Sequence, residues 1–243
     1  MLGCGGIGYH VGEAVARIAE AMVDPPEIFL VDGDIIEDKN CERQFFKGVV
    51  GQAKAQALAT IISSKFPEIR VTPVIDYINE NNLRVHRNRW LNGSVIVLAG
   101  VDNNATRCLI EDELMRLKDV IFITGGNEVV EGQVHVFVRS GRKNLCPTPS
   151  QISPEVRNYT EAAPGTDGQC LAKGASDPQT ALVNRSVSVV MEMSLNTFIT
   201  DGKVNAVKPK YNEIRVDTKQ GFVRSFWRDP VPGLENKTKW KRR

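Results

Sequence analysis

Residues 2–8, Leu2-Gly3-Cys4-Gly5-Gly6-Ile7-Gly8, constrain this chain more than any other stretch. Three of its four glycines, Gly3, Gly5 and Gly8, fill the pattern G-x-G-x-x-G. Apolar residues then recur at helical spacing, Val11, Ala14, Val15, Ile18, Ala19 and Met22, until Pro25-Pro26 ends the helix. Ile28-Phe29-Leu30-Val31 follows as a short apolar run closing on Asp32, the pattern of a buried parallel strand. A glycine turn that opens a helix lets the backbone approach an anion with no Cβ in the way, and the helix dipole and free N–H groups point at that anion. Asp32 is spaced to accept hydrogen bonds from ribose hydroxyls. These features alone admit a nicotinamide, a flavin or a triphosphate. Such a loop is normally carried by a strand, yet only Met1 and Leu2 precede Gly3, so the first strand is expected to be truncated.

The alternation continues. Gln52 to Phe66 reads as a helix stopped by Pro67, and Ile69 to Ile75 as a strand. Ser94 to Val101 is a strand, Asn103 to Leu117 a helix, and Val120 to Ile123 a strand closed by Gly125-Gly126. Strands alternating with helices imply an α/β fold, a Rossmann-like doubly wound and mostly parallel sheet. Beyond it come a more exposed strand at Gln133 to Val138, a long Pro-, Gly- and Ser-rich loop from Asn144 to Ser176, a helix from Gln179 to Phe198, and a hairpin formed by Tyr211 to Val216 and Gly221 to Phe226. One domain is expected over 1–226. A basic, disordered tail is expected over 227–243, where Lys237, Lys239, Lys241, Arg242 and Arg243 crowd a segment of little apolar content.

Composition narrows the function classes. With 243 residues, 42% hydrophobic and 25% charged, the chain is an ordinary globular one. A net charge of +2 argues against nucleic acid as the main partner, and no apolar run approaches a membrane span. A cytoplasmic setting is the expectation. Five cysteines without a C-x-x-C pair fit neither a disulfide framework nor a four-thiolate zinc site.

Residues 32–103 discriminate between the nucleotides. They carry Asp32-Gly33-Asp34, then Asn40-Cys41-Glu42-Arg43-Gln44, then Gly51-Gln52-Ala53-Lys54, and finally Asp102-Asn103. A dehydrogenase has no use for an arginine and a lysine trained on one crevice, whereas a triphosphate does. A carboxylate at the end of an apolar strand suits magnesium, which prefers one or two carboxylates plus phosphate oxygens. Taken singly, Arg43 reads as a surface arginine, Lys54 as a solvated helix residue and Asp102-Asn103 as a helix cap. Together, and in this order, the motifs resemble the ThiF/MoeB/ubiquitin-activating superfamily of adenylyltransferases over roughly Leu2 to Gln133.

The resemblance implies that Gly3, Gly5, Gly6 and Gly8 line ATP, that Asp32 binds its ribose, and that Asn40, Arg43 and Lys54 meet its phosphates. Gln44 and Asp34 join the nucleotide-binding set, Asp34 as a ribose or loop contact. Asp102 would hold Mg2+ beside the reacting phosphorus, with Asn103 flanking it. The implied reaction is adenylylation of the C-terminal glycine of a ubiquitin-like or sulfur-carrier protein by a homodimer. Cys170, in the long loop, stands where some relatives place a cysteine that receives the acyl group. Structural zinc is not expected, because Cys146 is followed by Pro147-Thr148-Pro149 and no cysteine comes after Cys170. Cys4, Cys41 and Cys108 read as packing, and His10, His86 and His135 receive no role. The rival readings are an NAD- or FAD-dependent Rossmann oxidoreductase and a non-catalytic scaffold of the same family.

Overall fold

The computed structural model describes residues 1–38, 46, 49–80, 82–83, 95–159 and 178–234. Helix α1 (Gly6–Glu20) leads into strand β1 (Ile28–Val31), then α2 (Lys54–Lys65), β2 (Val71–Val74), β3 (Val95–Ala99), α3 (Asn104–Leu114), β4 (Val120–Asn127) and β5 (Glu131–Ser140). A short strand β6 (Lys143–Asn144), one turn of helix α4 (Pro149–Ile152) and a 3-10 turn (Pro154–Arg157) follow. The chain closes with α5 (Pro178–Asn196), a small hairpin of β7 (Ile199–Thr200) and β8 (Lys203–Val204), and the hairpin of β9 (Glu213–Asp217) and β10 (Phe222–Phe226).

β1 pairs parallel with β2, and β3 parallel with β4. β5 then runs antiparallel to β4, and β9 and β10 extend that antiparallel half. Between β1 and β3 the sheet is joined through Met1 to Gly3, with Leu2 bridging in parallel to Val31 on one side and to Ala99 on the other. Met1 to Gly3 thus occupy the middle of the sheet, between β1 and β3. The doubly wound expectation holds for the parallel half. The antiparallel half follows from the tight turn at 128–130, which leaves no room for a crossover.

Three expectations about where elements end differ from the structure. β4 runs on through Gly125-Gly126 to Asn127 instead of closing there. A Cβ on Gly125 would lie 2.5 Å from the Met191 Sδ of α5, and one on Gly126 2.6 Å from the Arg107 Nη2. These glycines make room for side chains that cross the strand. Of the expected loop from Asn144, the described part up to Tyr159 is bonded to the domain. Buried Glu111 on α3 accepts from the Ser150 amide at 2.9 Å, from its hydroxyl at 2.5 Å, and from Arg157 at 3.1 Å. The tail expected from 227 is bonded to the domain up to Leu234: the Val231 amide donates to the Gln151 carbonyl at 2.9 Å, and the Gln151 side chain to the Leu234 carbonyl at 3.0 Å. Residues 235–243 lie outside the described set.

The main core sits where β3, β4 and β5 meet α5 and α3, with Phe122, Ile123, Phe137, Val187 and Met191 fully enclosed. A smaller core joins α1 and α2 to β1 through Leu30, Leu58 and Ile62, and Gly12 lets α1 approach Leu58 closely. His135 is buried in β5 with no partner for its Nε2. Burial, reinforced by Arg107 and Arg215 against the pull of Glu213, lowers its pKa to about 4.

Two outcomes follow from this packing. Gly125→Val forces a branched side chain against Met191 and Val187 and should cost about 1–3 kcal/mol, read as a lowered urea midpoint with an unchanged slope. His135 is neutral in the folded chain and protonates near pH 6.5 once unfolded, so its contribution is full above that pH and is lost as the pH falls towards 4. His135→Phe should flatten the melting temperature between pH 6.5 and 4 relative to the parent; parallel pH profiles would contradict the buried neutral imidazole.

Candidate functional site

The glycine loop folds as its composition demands. Gly3 adopts φ +82°, and a Cβ on Gly8 would collide with the Gly3 carbonyl. Only glycines allow the turn to close this tightly. α1 begins at Gly6 with Gly5 as its N-cap and no side chain capping it, so its amino end is a bare anion-facing terminus. The turn after β3 packs directly on this loop: a Cβ on Gly3 would lie 3.0 Å from the Gly100 carbonyl, and one on Gly100 3.2 Å from Ile7. Gly5 and Gly6 thus sit over the carboxyl edge of the parallel strands, where α/β sheets bind ligands.

Asp32 ties that loop to the end of β1. One carboxylate oxygen accepts from the Cys4 amide at 2.6 Å and the other from the Asp34 amide at 2.8 Å. Burial raises its pKa, opposed by Lys54 and by those two amides. Each oxygen keeps a lone pair for a ribose hydroxyl. Asp34 accepts from the Lys54 Nζ at 2.7 Å and from the Tyr77 hydroxyl at 3.0 Å. Lys54 is only 8% exposed, which is unusual for a lysine, and its position at the first turn of α2 is fixed by its own amide donating to the Asp34 carbonyl at 2.9 Å. The sequence motifs D-G-D and G-Q-A-K are thereby brought into one bonded chain, running from the Cys4 amide through Asp32 and Asp34 to Lys54.

Asp102 lies exposed two residues past Gly100, at the same edge of the sheet. Asn103 is the N-cap of α3, its side chain accepting from the Thr106 amide at 2.9 Å. Its capping role is therefore in place, and the flanking role implied by the resemblance rests on that cap holding Asp102 at the turn. Asn40, Arg43 and Gln44 lie outside the described residues, as does Cys170. Cys146 is buried, accepts from the Val138 amide at 3.3 Å, and has its pKa pushed up to about 11 by burial, which is the environment of a packing thiol.

Two residues of the site escaped the sequence reading. Tyr77 lays its ring over Gly33, where a Cβ would approach to 2.7 Å, and fixes Asp34 with its hydroxyl. Arg107 reaches from α3 across the ends of two strands, donating to the Val101 carbonyl, to the Gly125 carbonyl at 3.1 Å and to the Thr124 hydroxyl at 3.3 Å. Desolvation lowers its pKa, and Asp102 raises it. Arg107 had a faint signal, an arginine one turn past an Asp-Asn cap on the face that would meet the sheet. Tyr77 had none.

The ThiF family profile matches residues 1–229. Among curated proteins the chain is 28% identical over 176 residues to the SAMP-activating enzyme E1 of Haloferax volcanii, covering 72% of this chain and 58% of that one. It is 28% identical over 166 residues to a protein of Mycobacterium tuberculosis named "Probable adenylyltransferase/sulfurtransferase MoeZ", covering 64% and 38%. The chain thus spans about half the length of these relatives. Among solved structures, MccB of E. coli with AMPCPP and MccA superposes with a TM-score of 0.67 at 19% identity, over 96% of this chain and 64% of that one. That likeness establishes the fold. With the family profile covering nearly the whole sequence, and with the glycine loop, D-G-D and the buried lysine brought together as described, the chain belongs to the ThiF family.

Proposed function

We propose that this chain is an ATP-dependent adenylyltransferase that activates the C-terminal glycine of a ubiquitin-like or sulfur-carrier protein. The observation that carries the reading is the buried Lys54 ammonium, held by Asp34 one step from the carboxylate that grips the glycine loop. A dinucleotide needs no such cation. A triphosphate in the glycine loop brings oxygens that compete with Asp34 for the amine, and the amine then offsets charge on the departing pyrophosphate. The relatives' names, SAMP-activating enzyme and adenylyltransferase/sulfurtransferase, favour the same chemistry over the oxidoreductase reading.

In the proposed step an oxygen of the carrier's terminal carboxylate bonds to the α-phosphorus. The bond from that phosphorus to the bridging oxygen breaks, and the electron pair leaves with pyrophosphate, so an acyl-adenylate remains. Gly3, Gly5, Gly6 and Gly8 cradle the phosphates, the amino end of α1 faces them, and Asp32 orients the ribose. Asn40, Arg43 and Gln44 complete the phosphate contacts in this reading.

Asp102 offers one exposed carboxylate at the turn that packs on the loop, a donor that suits magnesium bound mainly by phosphate oxygens. When bound there, the ion would neutralise charge on the phosphates. Arg107 holds the Asp102 turn against β4.

The homodimer belongs to the same proposal. Leu182, Val189 and Met193 stand 54%, 47% and 59% exposed along one stripe of α5, and this apolar stripe is the proposed dimer contact. A cytoplasmic setting belongs to the same proposal; no described helix is long and apolar enough to cross a membrane. Transfer of the acyl group to the Cys170 thiolate, with release of AMP, is the proposed second step where a thioester is formed.

The test is ATP–pyrophosphate exchange with carrier proteins ending in Gly-Gly. Lys54→Ala should lower the exchange rate roughly ten- to a hundredfold, the worth of one charge-assisted phosphate contact. Asp102→Ala should abolish exchange while leaving the fold intact, read as an unchanged circular dichroism spectrum. Tight NAD binding by the wild-type protein, with no response to ATP and magnesium, would overturn the assignment. Cys170→Ala should spare exchange and remove any thioester band from a non-reducing gel.

A further inference from the structure

Asp34 is gripped by two donors that arrive from different parts of the chain. Its Oδ2 accepts from the Lys54 Nζ at 2.7 Å, and its Oδ1 from the Tyr77 hydroxyl at 3.0 Å, partners 20 and 43 residues away in sequence. Lys54 comes from the first turn of α2, and Tyr77 from the segment after β2. The two side chains of the ion pair differ in exposure, 10% for Lys54 and 37% for Asp34. The carboxylate is thus the solvent-facing member of the pair and the ammonium the buried one.

Tyr77 is fixed at both ends. Its carbonyl accepts from the Asn82 side-chain amide at 2.8 Å, and that amide also donates to Asp76 at 2.5 Å. The Asn82 backbone amide donates to the Asn79 side chain at 3.0 Å, so the loop closes on itself beneath the tyrosine. At its other end the ring lies on Gly33, where a Cβ would come within 2.7 Å of Cγ and 2.8 Å of both Cδ atoms. Gly33 does not adopt a positive φ, so it is the ring and not the backbone that demands glycine in the D-G-D turn.

The adenylyltransferase reading, on which this inference rests, requires the Lys54 ammonium to pass from Asp34 to phosphate oxygens. To an ammonium the two partners are alike, each an anionic oxygen at hydrogen-bond distance. Asp34 therefore fills in the resting protein the place that phosphate takes in the loaded one. Once the amine has left, Asp34 keeps its charge next to a polyanion and to Asp32, whose carboxylate lies close enough to repel it. A hydroxyl contributes most to a carboxylate that no cation shares, and the Tyr77 hydroxyl is already in contact with that carboxylate.

We propose that Asp34 is an internal competitor for the Lys54 amine, displaced only by a ligand with phosphates beyond the first. Tyr77 is the positioning residue that steadies the vacated carboxylate, and so sets how readily the amine is released. Together they select the nucleoside triphosphate over the monophosphate. When pyrophosphate departs, Asp34 takes the amine back, and the adenylate is left on contacts that do not involve Lys54.

Calorimetric titration of the chain with ATP and with AMP, each in the presence of magnesium, tests the competitor. Asp34→Asn keeps the shape of the side chain and removes its charge, and should bind ATP about three- to tenfold more tightly. Tyr77→Phe should bind ATP about three- to tenfold more weakly. In pyrophosphate exchange its effect should fall on KM for ATP rather than on kcat. AMP affinity should stay within about twofold of the parent in both variants. The double variant should match Asp34→Asn alone, because the hydroxyl acts through the carboxylate. Gly33→Ala, which keeps the hydroxyl but lifts the ring, should reproduce Tyr77→Phe. Weaker ATP binding by Asp34→Asn, additive effects in the double variant, or equal losses of ATP and AMP affinity would each overturn the competitor. ATP binding that none of these substitutions alters would overturn it too, with the adenylyltransferase reading left standing. A parent chain that binds no ATP at all would remove both.

Discussion

The carboxylate of Asp32 is the tie on which the rest of the site depends. It receives the Cys4 amide from the glycine loop and the Asp34 amide from its own turn, and so fixes the loop to the end of β1. From it the network runs outward: the turn presents Asp34, Asp34 holds the Lys54 amine, and Tyr77 holds Asp34 from the other side. Two hydrogen bonds to backbone amides favour the charged carboxylate against the burial that raises its pKa. The glycine loop, the Asp32 carboxylate and the Lys54 amine are thus one bonded assembly.

What the sequence made legible was whatever local chemistry dictates. Gly3 to Gly8 had to form a tight turn before a helix because no other residue fits beside the Gly3 carbonyl. The apolar runs at Ile28 to Val31 and Val95 to Ala99 had to be covered strands. Linked motifs placed Asp32, Asp34 and Lys54 in one site, and those three are bonded as a unit. What stayed hidden depends on partners distant in sequence. Gly125-Gly126 carries the local signature of a turn, and only the arrival of α5 and Arg107 explains why glycine is needed inside a strand. Tyr77 sits in a polar stretch with no periodicity, and its role exists only because β2 ends beside the D-G-D turn. His135 looked like one more polar residue on an alternating strand, until Glu213 and Arg107 came to surround it.

The antiparallel half of the sheet shows the same division. β5, β9 and β10 were readable as strands from their alternation, but their order was not, since it is fixed by which edges remain open once the parallel half has formed. Glu213 illustrates how that half is closed: a buried carboxylate that accepts from Gln133, Arg215 and Arg228, with the hydrogen bonds from these side chains outweighing burial to lower its pKa. Arg228 also lies over the Phe226 ring. The residues after β10 are therefore part of the domain wall.

α5 is seated into gaps left by glycine on two strands, and at its side the Ser188 hydroxyl donates to the Ile7 carbonyl at 2.9 Å, inside the first turn of α1. Asn184, one turn earlier, rests where a Cβ on Gly6 would have to be. α5 thus spans the molecule from an exposed apolar stripe at Leu182 and Val189 to the glycine turn, so a substitution on its inner edge bears on that turn without passing through the sheet.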